Sequence, residues 1–274
     1  MIPRLARAVT FFSGPIPRPF AHRGASGTHP ENTLIAFRKA REEGAEGFEL
    51  DVHRTSDGEI VVFHDPTLER TTDGSGPLAA LTLSELRELD AGSRFTPDGG
   101  GTHPFRGQSV RIPTLREVLE EFPEAPVIIE IKQVDPPLEE ELREEIAGAG
   151  AHDRTLVFSL AQAPLDRYRA LDPEQPTGFG PEDVADFLAR LRDGAWDGYE
   201  PPGAAFAVPE SWHGIPIVSA PFVEAAHRFD REVYVWTVNT EAEMERLLEL
   251  GIDGLISDFP GRLAEVVRRR RAAV

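Results

Sequence analysis

Runs with the two-residue period of a strand alternate with runs of helical period along nearly the whole chain, and that alternation leaves few folds open. The strand-like runs are Phe20 to His22, "GFELDVHRT", "EIVVFHD" behind the turn Ser56-Asp57-Gly58, "APVIIEIK", "TLVFSL", "PTGFG", "VYVWTVN" and "IDGLISD". Helix-like runs lie between most of them: from about Glu31 to Glu43 with a stop at Gly44, Pro137 to Ile146, from near Ala163, Val184 to Leu191, and "TEAEMERLLELG". Eight such steps predict an α/β fold, a closed parallel (β/α)8 barrel ringed by helices. A length of 274 residues suits one barrel, so residues 1–274 are expected to form a single domain.

Two regions break the rhythm. Pro66 to Arg111, about residues 66–111, is rich in Gly, Thr, Ser and Pro, with one short helical run near Leu83 to Leu89, and reads as an insertion after the third strand. Gly194 to Pro221 reads as a smaller excursion after the sixth. The basic tail Arg268 to Arg271 suits the C-terminal end of a last helix, where cations complement the helix dipole.

Composition narrows the function. A net charge of −18 disfavours nucleic acid and anionic membrane surfaces as partners, so an anionic substrate needs local positive charge. No segment approaches the ~20 apolar residues of a membrane helix, and no stable membrane insertion is expected. The brief apolar run Ala8 to Phe12, after Arg4 and Arg7, falls short of a secretory core and reads as a short leader packing near the first strand. The chain has no cysteine, which removes disulfides and thiolate metal sites and fits a reducing, cytoplasmic location.

In such barrels the chemistry gathers at the C-terminal ends of the strands. Those ends carry His22 and Arg23, Glu49 and Asp51, His64 and Asp65, Glu130 and Lys132, and Trp236 and Asn239. Glu49 and Asp51 are two apart and share a face, as do Glu130 and Lys132. Three inward carboxylates repel unless compensated. One reading gives them salt bridges to Arg23, Lys132 and Arg54. The better one gives them a hard divalent cation, Mg²⁺ or Ca²⁺, which prefers oxygen ligands. His22 and His64, ending the first and third strands, suit general acid and base roles, with metal ligation or a His64–Asp65 pair as alternatives. His53 continues the period-two row and is expected beside the site without a proton to move. Surface positions are expected for His29, His103, His152, His213 and His227.

"AHRGASGTHPENT", "ELDVHRTSDGEIVVFHD", "RIPTLREVL", "IIEIK", "VWTVN" and "GIDGLISDFP" stand in the order and spacing of the glycerophosphodiester phosphodiesterase family, which the chain resembles from about Phe20 to Pro260. The resemblance implies a TIM barrel with an inserted subdomain after the third strand. It implies a hydrolase that splits glycerophosphodiesters, small-molecule substrates, to glycerol 3-phosphate and an alcohol with a divalent metal. Glu49, Asp51 and Glu130 match the metal carboxylates. His22 and His64 match the catalytic histidines, Arg23 the phosphate-holding arginine, Lys132 a nearby lysine, and Trp236 an aromatic at the pocket wall. Glu31-Asn32-Thr33 matches a segment that supports the first loop. "SDFP" departs mildly from the Thr-Asp-x-Pro of many relatives.

Two other functions are weighed against this one. A phospholipase D-like activity on lysophospholipids would be supported by an exposed apolar rim around Phe95, Phe105 and Trp212. A non-enzymatic binding barrel would be expected to have lost one of the costly polar residues, and every matched position is filled. The substrate's alcohol, the metal and the oligomeric state are not encoded in these motifs.

Overall fold

The computed structural model describes residues 10–272. Seven parallel strands form most of a barrel: β1 (Arg18–His22), β2 (Gly47–Arg54), β4 (Val127–Ile131), β5 (Thr155–Phe158), β6 (Ala205–Pro209), β9 (Glu232–Trp236) and β10 (Gly254–Ser257), in the spatial order β5-β4-β2-β1-β10-β9-β6. The gap between β5 and β6 is spanned by Thr177 and Gly178, which bridge in parallel to Val157 and Ala205. Those two residues, inside "PTGFG", are the eighth stave.

The barrel of eight therefore stands, with two changes of membership. The run "EIVVFHD" yields β3 (Ile60–Val62), which pairs antiparallel with the end of β2 and lies outside the parallel ring, while β2 pairs directly with β4. The short turn at Ser56-Asp57-Gly58 can only fold the chain back, because a parallel neighbour needs a crossover of a dozen or more residues. Conversely, the stretch read as an excursion contains the barrel strand β6. Its sequence "AFAVP" is small and framed by prolines, so it reads as loop. Ala205 and Ala207 are small because they face a barrel interior already filled by large neighbours. Beyond β6 stands a two-stranded hairpin, β7 (Ser211–Trp212) and β8 (Ile215–Pro216).

The interior is a packed layer of Phe20, Ile128, Leu156, Phe158, Ala205, Ala207, Tyr234 and Ile256, with Phe11 closing the N-terminal end. Phe11 belongs to the segment expected to pack near the first strand; Arg4 and Arg7 lie outside the described residues. Close packing forces glycine at Gly47 and Gly254, where a Cβ would meet the Phe20 ring at 2.4 Å and the Tyr234 ring at 2.5 Å. At the floor of the barrel Arg18 donates to Glu232 at 2.5 Å and to the Tyr234 hydroxyl at 2.6 Å.

Helices cover the outside through two further apolar layers. Several of these helices start at threonine caps. Thr33 opens α1 (Leu34–Glu42), and reciprocal Thr–Glu boxes open α3 (Leu115–Glu121) through Thr114 and Glu117 and α8 (Glu241–Glu249) through Thr240 and Glu243. The basic tail lies at the end of α9 (Pro260–Ala272), as its charge suggests. The segment 66–111 carries the short α2 (Leu83–Leu86) and its own small core of Leu68, Leu78, Leu86, Ala91, Val110 and Ile112, seated on Val61 and Phe63. Among the described residues no helix is long and apolar enough to cross a membrane.

Candidate active site

Strand register assembles the polar cluster. His22 lies beside Glu49 across the β1–β2 pair, and Asp51 lies beside Glu130 across β2–β4. Glu49, Asp51 and Glu130 are almost completely buried, and each can place a carboxylate oxygen within 4.8 Å of the other two. Two cations enter the cluster. Lys132 Nζ stands 3.1 Å from Asp51 Oδ1 and 2.8 Å from Glu130 Oε1, and Arg23 Nε stands 3.0 Å from Asp51 Oδ2. Asn32 donates to the same Asp51 oxygen at 2.9 Å.

Compensation is incomplete and uneven. Burial raises the pKa of Asp51, but Arg23 and Lys132 outweigh it and hold that carboxyl below its ordinary value. For Glu49, burial and the neighbouring Asp51 charge prevail and push the pKa well up. Glu130, buried beside Lys132 and Asp51, is pushed up to about 7. Glu49 Oε2 is buried without a hydrogen-bond partner. The salt-bridge reading thus holds for Arg23 and Lys132 but not for Arg54, which pairs with Glu141 at 2.6 Å on α4 (Glu139–Gly148). An orphaned buried oxygen within a set of three carboxylates is the donor pattern of a hard divalent cation, and these residues fit one.

The loop after β1 is built to hold Arg23 in place. Arg23 and Asn32 have φ of 56° and 57°, left-handed values that side chains other than glycine rarely adopt. They are tied together by the Asn32 N–H on the Arg23 carbonyl at 2.9 Å, while the Arg23 N–H donates to the Glu49 carbonyl at 2.8 Å. Gly24 has φ +82°, and a Cβ there would meet the Ala36 backbone at 2.6 Å, so glycine serves both the turn and the approach of α1. Arg23 Nη1 donates to Glu31 at 3.0 Å, which gives Glu31 the supporting place expected of it.

Each of the two histidines has a carboxylate on Nδ1. His64 Nδ1 lies 2.5 Å from Asp65 Oδ1, and the His64 carbonyl is held by His53 Nε2 at 3.1 Å. Burial lowers the His64 pKa, and Arg23 and Lys132 add to this against the pull of Asp51 and Asp65. His22 Nδ1 lies 2.6 Å from Asp258 Oδ1, and His22 Nε2 lies 3.8 Å from Glu49 Oε2. Asp258 in turn accepts from Asn239 at 2.7 Å and has the Ser26 hydroxyl 2.8 Å away. Trp236 ends β9 against the interior layer, and its indole nitrogen is buried and unpaired.

Asp258, Ser26 and Arg70 escaped the sequence reading as members of the site. Asp258 directly follows the last barrel strand, so the strand-end rule that selected the other positions also selects it. Ser26 and Arg70 come from irregular segments with no period to flag them. Of the apolar rim, Phe95 and Phe105 are half-buried and pack on each other at 5.4 Å, whereas Trp212 is exposed.

Residues 22–262 match the glycerophosphoryl diester phosphodiesterase family. A glycerophosphodiester phosphodiesterase of Caldanaerobacter subterraneus is 35% identical, covering 91% of this chain and 97% of its own, and one of Bacillus altitudinis is 33% identical, covering 90% and 96%. Among solved structures, an Oleispira antarctica phosphodiesterase in complex with the product sn-glycerol-3-phosphate superposes with a TM-score of 0.73 at 29% identity, covering 92% of this chain and 96% of that one. A glycerophosphodiester phosphodiesterase of Agrobacterium tumefaciens gives 0.72 at 26%, covering 90% and 99%. The chain belongs to the glycerophosphoryl diester phosphodiesterase family and is a phosphoric diester hydrolase.

Proposed function

We propose that this protein hydrolyses glycerophosphodiesters to glycerol 3-phosphate and an alcohol, with His64 as general base and His22 as general acid. The observation that carries the reading is the pair of carboxylate-anchored imidazoles beside a buried acidic triad and Arg23. Asp65 fixes His64 through Nδ1, which leaves Nε2 to exchange a proton. A lowered pKa keeps His64 neutral near pH 7, the state that accepts a proton from the attacking water. The water oxygen bonds to phosphorus as the bond to the alcohol oxygen breaks. His22 delivers a proton from Nε2 to that leaving oxygen, while Asp258 keeps its ring oriented.

Arg23 donates from Nη1 to Glu31, its Nε lies 3.0 Å from Asp51 as an ion pair without a hydrogen bond, and Nη2 remains for a phosphoryl oxygen. Lys132 adds positive charge on the Glu130 side. Glu49, Asp51 and Glu130 would hold the cation, Mg²⁺ or Ca²⁺, which when bound supplies Lewis-acid polarisation of the phosphoryl group. The Trp236 ring offers the substrate an apolar wall, its indole N–H being turned into the protein. We read residues 66–111 as an insertion within one barrel domain. A cytoplasmic setting fits the cysteine-free composition, and the charge of −18 fits a small-molecule rather than a nucleic-acid partner.

Hydrolysis in ¹⁸O-labelled water tests the reaction class. Attack at phosphorus places the label in glycerol 3-phosphate, and a chelator stops the reaction. Label found in the released alcohol, or turnover indifferent to chelation, would contradict the proposal.

A further inference from the structure

One side chain of the 66–111 segment touches the supports of two separate site residues. Arg70 donates from Nε to Asp65 Oδ2 at 2.5 Å and from Nη2 to Asp65 Oδ1 at 3.1 Å. The other edge of the same guanidinium meets Glu31, Nη1 to Oε2 at 2.6 Å and Nη2 to Oε1 at 2.7 Å. Asp65 is the group that anchors His64, and Glu31 is one of the two that anchor Arg23. A continuous chain of charged contacts thus runs His64–Asp65–Arg70–Glu31–Arg23–Asp51.

We propose that Arg70 is a positioning residue that sets His64 and Arg23 in one shared geometry, so that the segment 66–111 braces the two sides of the site. The inference rests on the roles proposed above for His64 and Arg23. Exposed ion pairs usually contribute little, and the Arg70 side chain is 47% exposed. This one differs in geometry: the guanidinium is bidentate toward two carboxylates whose side chains are only 19% and 20% exposed. A lysine ammonium is a point charge and cannot reproduce that planar double fork.

Without Arg70, Glu31 has Arg23 as its remaining cation and draws that guanidinium away from the phosphoryl group. Asp65 is left to hold His64 alone, free to swing with it. Both changes act on the site at a distance, and the cavity of about 140 Å³ that adjoins Arg70, Ser26 and Phe95 leaves room for a small replacement cation.

The test compares wild type, Arg70→Ala, Arg70→Lys and Arg70→Ala/Glu31→Gln. The readouts are steady-state kinetics on glycerophosphocholine, the Kd of glycerol 3-phosphate by calorimetry, and Tm. Arg70→Ala is expected to lower kcat by about tenfold or more and to weaken glycerol 3-phosphate binding. Methylguanidinium at millimolar concentration is expected to restore part of the kcat of Arg70→Ala and to leave that of wild type unchanged, while Glu31→Gln recovers affinity in the double variant. Arg70→Lys stays well below wild type. Unchanged kcat and Kd in Arg70→Ala, or a loss that follows Tm and ignores methylguanidinium, would overturn the inference. Should Arg70→Ala fail to fold, wild-type kinetics in Arg70→Lys overturn it equally. A wild-type protein inactive on every glycerophosphodiester would defeat the proposed function instead, and the glycerol 3-phosphate affinities would still decide the place of Arg70.

Discussion

His22 Nδ1 and Asp258 Oδ1 lie 2.6 Å apart although 236 positions separate them in the chain. The barrel makes this contact by pairing its first strand with its last, Ala21 beside Ser257. Burial raises the pKa of Asp258, yet the bonds from His22, Asn239 and Ser26 outweigh it and hold the carboxyl at about 2. Closing the barrel and orienting the imidazole are therefore one event.

Asp258→Asn is expected to lower kcat by at least about a hundredfold, because the amide no longer fixes the ring and its tautomer. It also changes stability against pH. A carboxyl whose folded pKa is depressed stabilises the fold fully above its unfolded value near 4, and that contribution is lost as pH falls toward 2. The shift corresponds to about 2 kcal/mol. Chemical denaturation from pH 6 to pH 2 should show Asp258→Asn less stable at pH 6 and with a shallower acid slope than wild type.

Glu49→Gln separates function from stability. Glu49 is a buried acid whose pKa is pushed up by burial and by Asp51, so its charge opposes folding when no cation is present. In chelator, Glu49→Gln is expected to have a higher Tm than wild type, while its activity with Mg²⁺ or Ca²⁺ falls by orders of magnitude. Added cation should raise the wild-type Tm and leave that of the variant nearly unmoved.

For the base, the sign is set by the lowered pKa of His64. The rate should hold as pH falls from 8 and decline only below the ordinary histidine value near 6.5. His64→Asn and His22→Asn should each lose on the order of a hundredfold to ten-thousandfold in kcat with small changes in Tm. A variant that keeps near-normal turnover would remove that histidine from the mechanism.

Gly24→Ala tests the loop. The added methyl meets the Ala36 backbone at 2.6 Å in a conformation with φ +82°. We expect a loss of roughly 1–3 kcal/mol by thermal denaturation and weaker glycerol 3-phosphate binding, since Arg23 is the adjacent residue.

Much of the barrel was legible because its signals are local. Strand period and the stop at Gly44 each act within a few residues. The run "EIVVFHD" misled because strand period says nothing about direction, and only the short turn before it excludes a parallel neighbour. β6 was hidden by its own suitability, since alanines that fit a crowded interior look like loop. In the site, Glu49, Asp51, Glu130, His22, Arg23 and Lys132 lie on or directly after parallel barrel strands, whereas His64 follows β3 outside the ring, and the fold brings the carboxylates together. The supports could not be found so readily. Arg70 acts across 39 positions to Glu31 and Ser26 across 232 to Asp258, and contacts of that span follow from tertiary packing rather than from any periodicity.

The most direct test is phosphorus NMR of the products formed from glycerophosphocholine, glycerophosphoethanolamine, glycerophosphoglycerol, glycerophosphoinositol and one lysophospholipid, with Mg²⁺, with Ca²⁺ and with chelator. Cation-dependent appearance of glycerol 3-phosphate from at least one glycerophosphodiester is expected. Turnover of the lysophospholipid alone, or no turnover by folded protein with either cation, would contradict it.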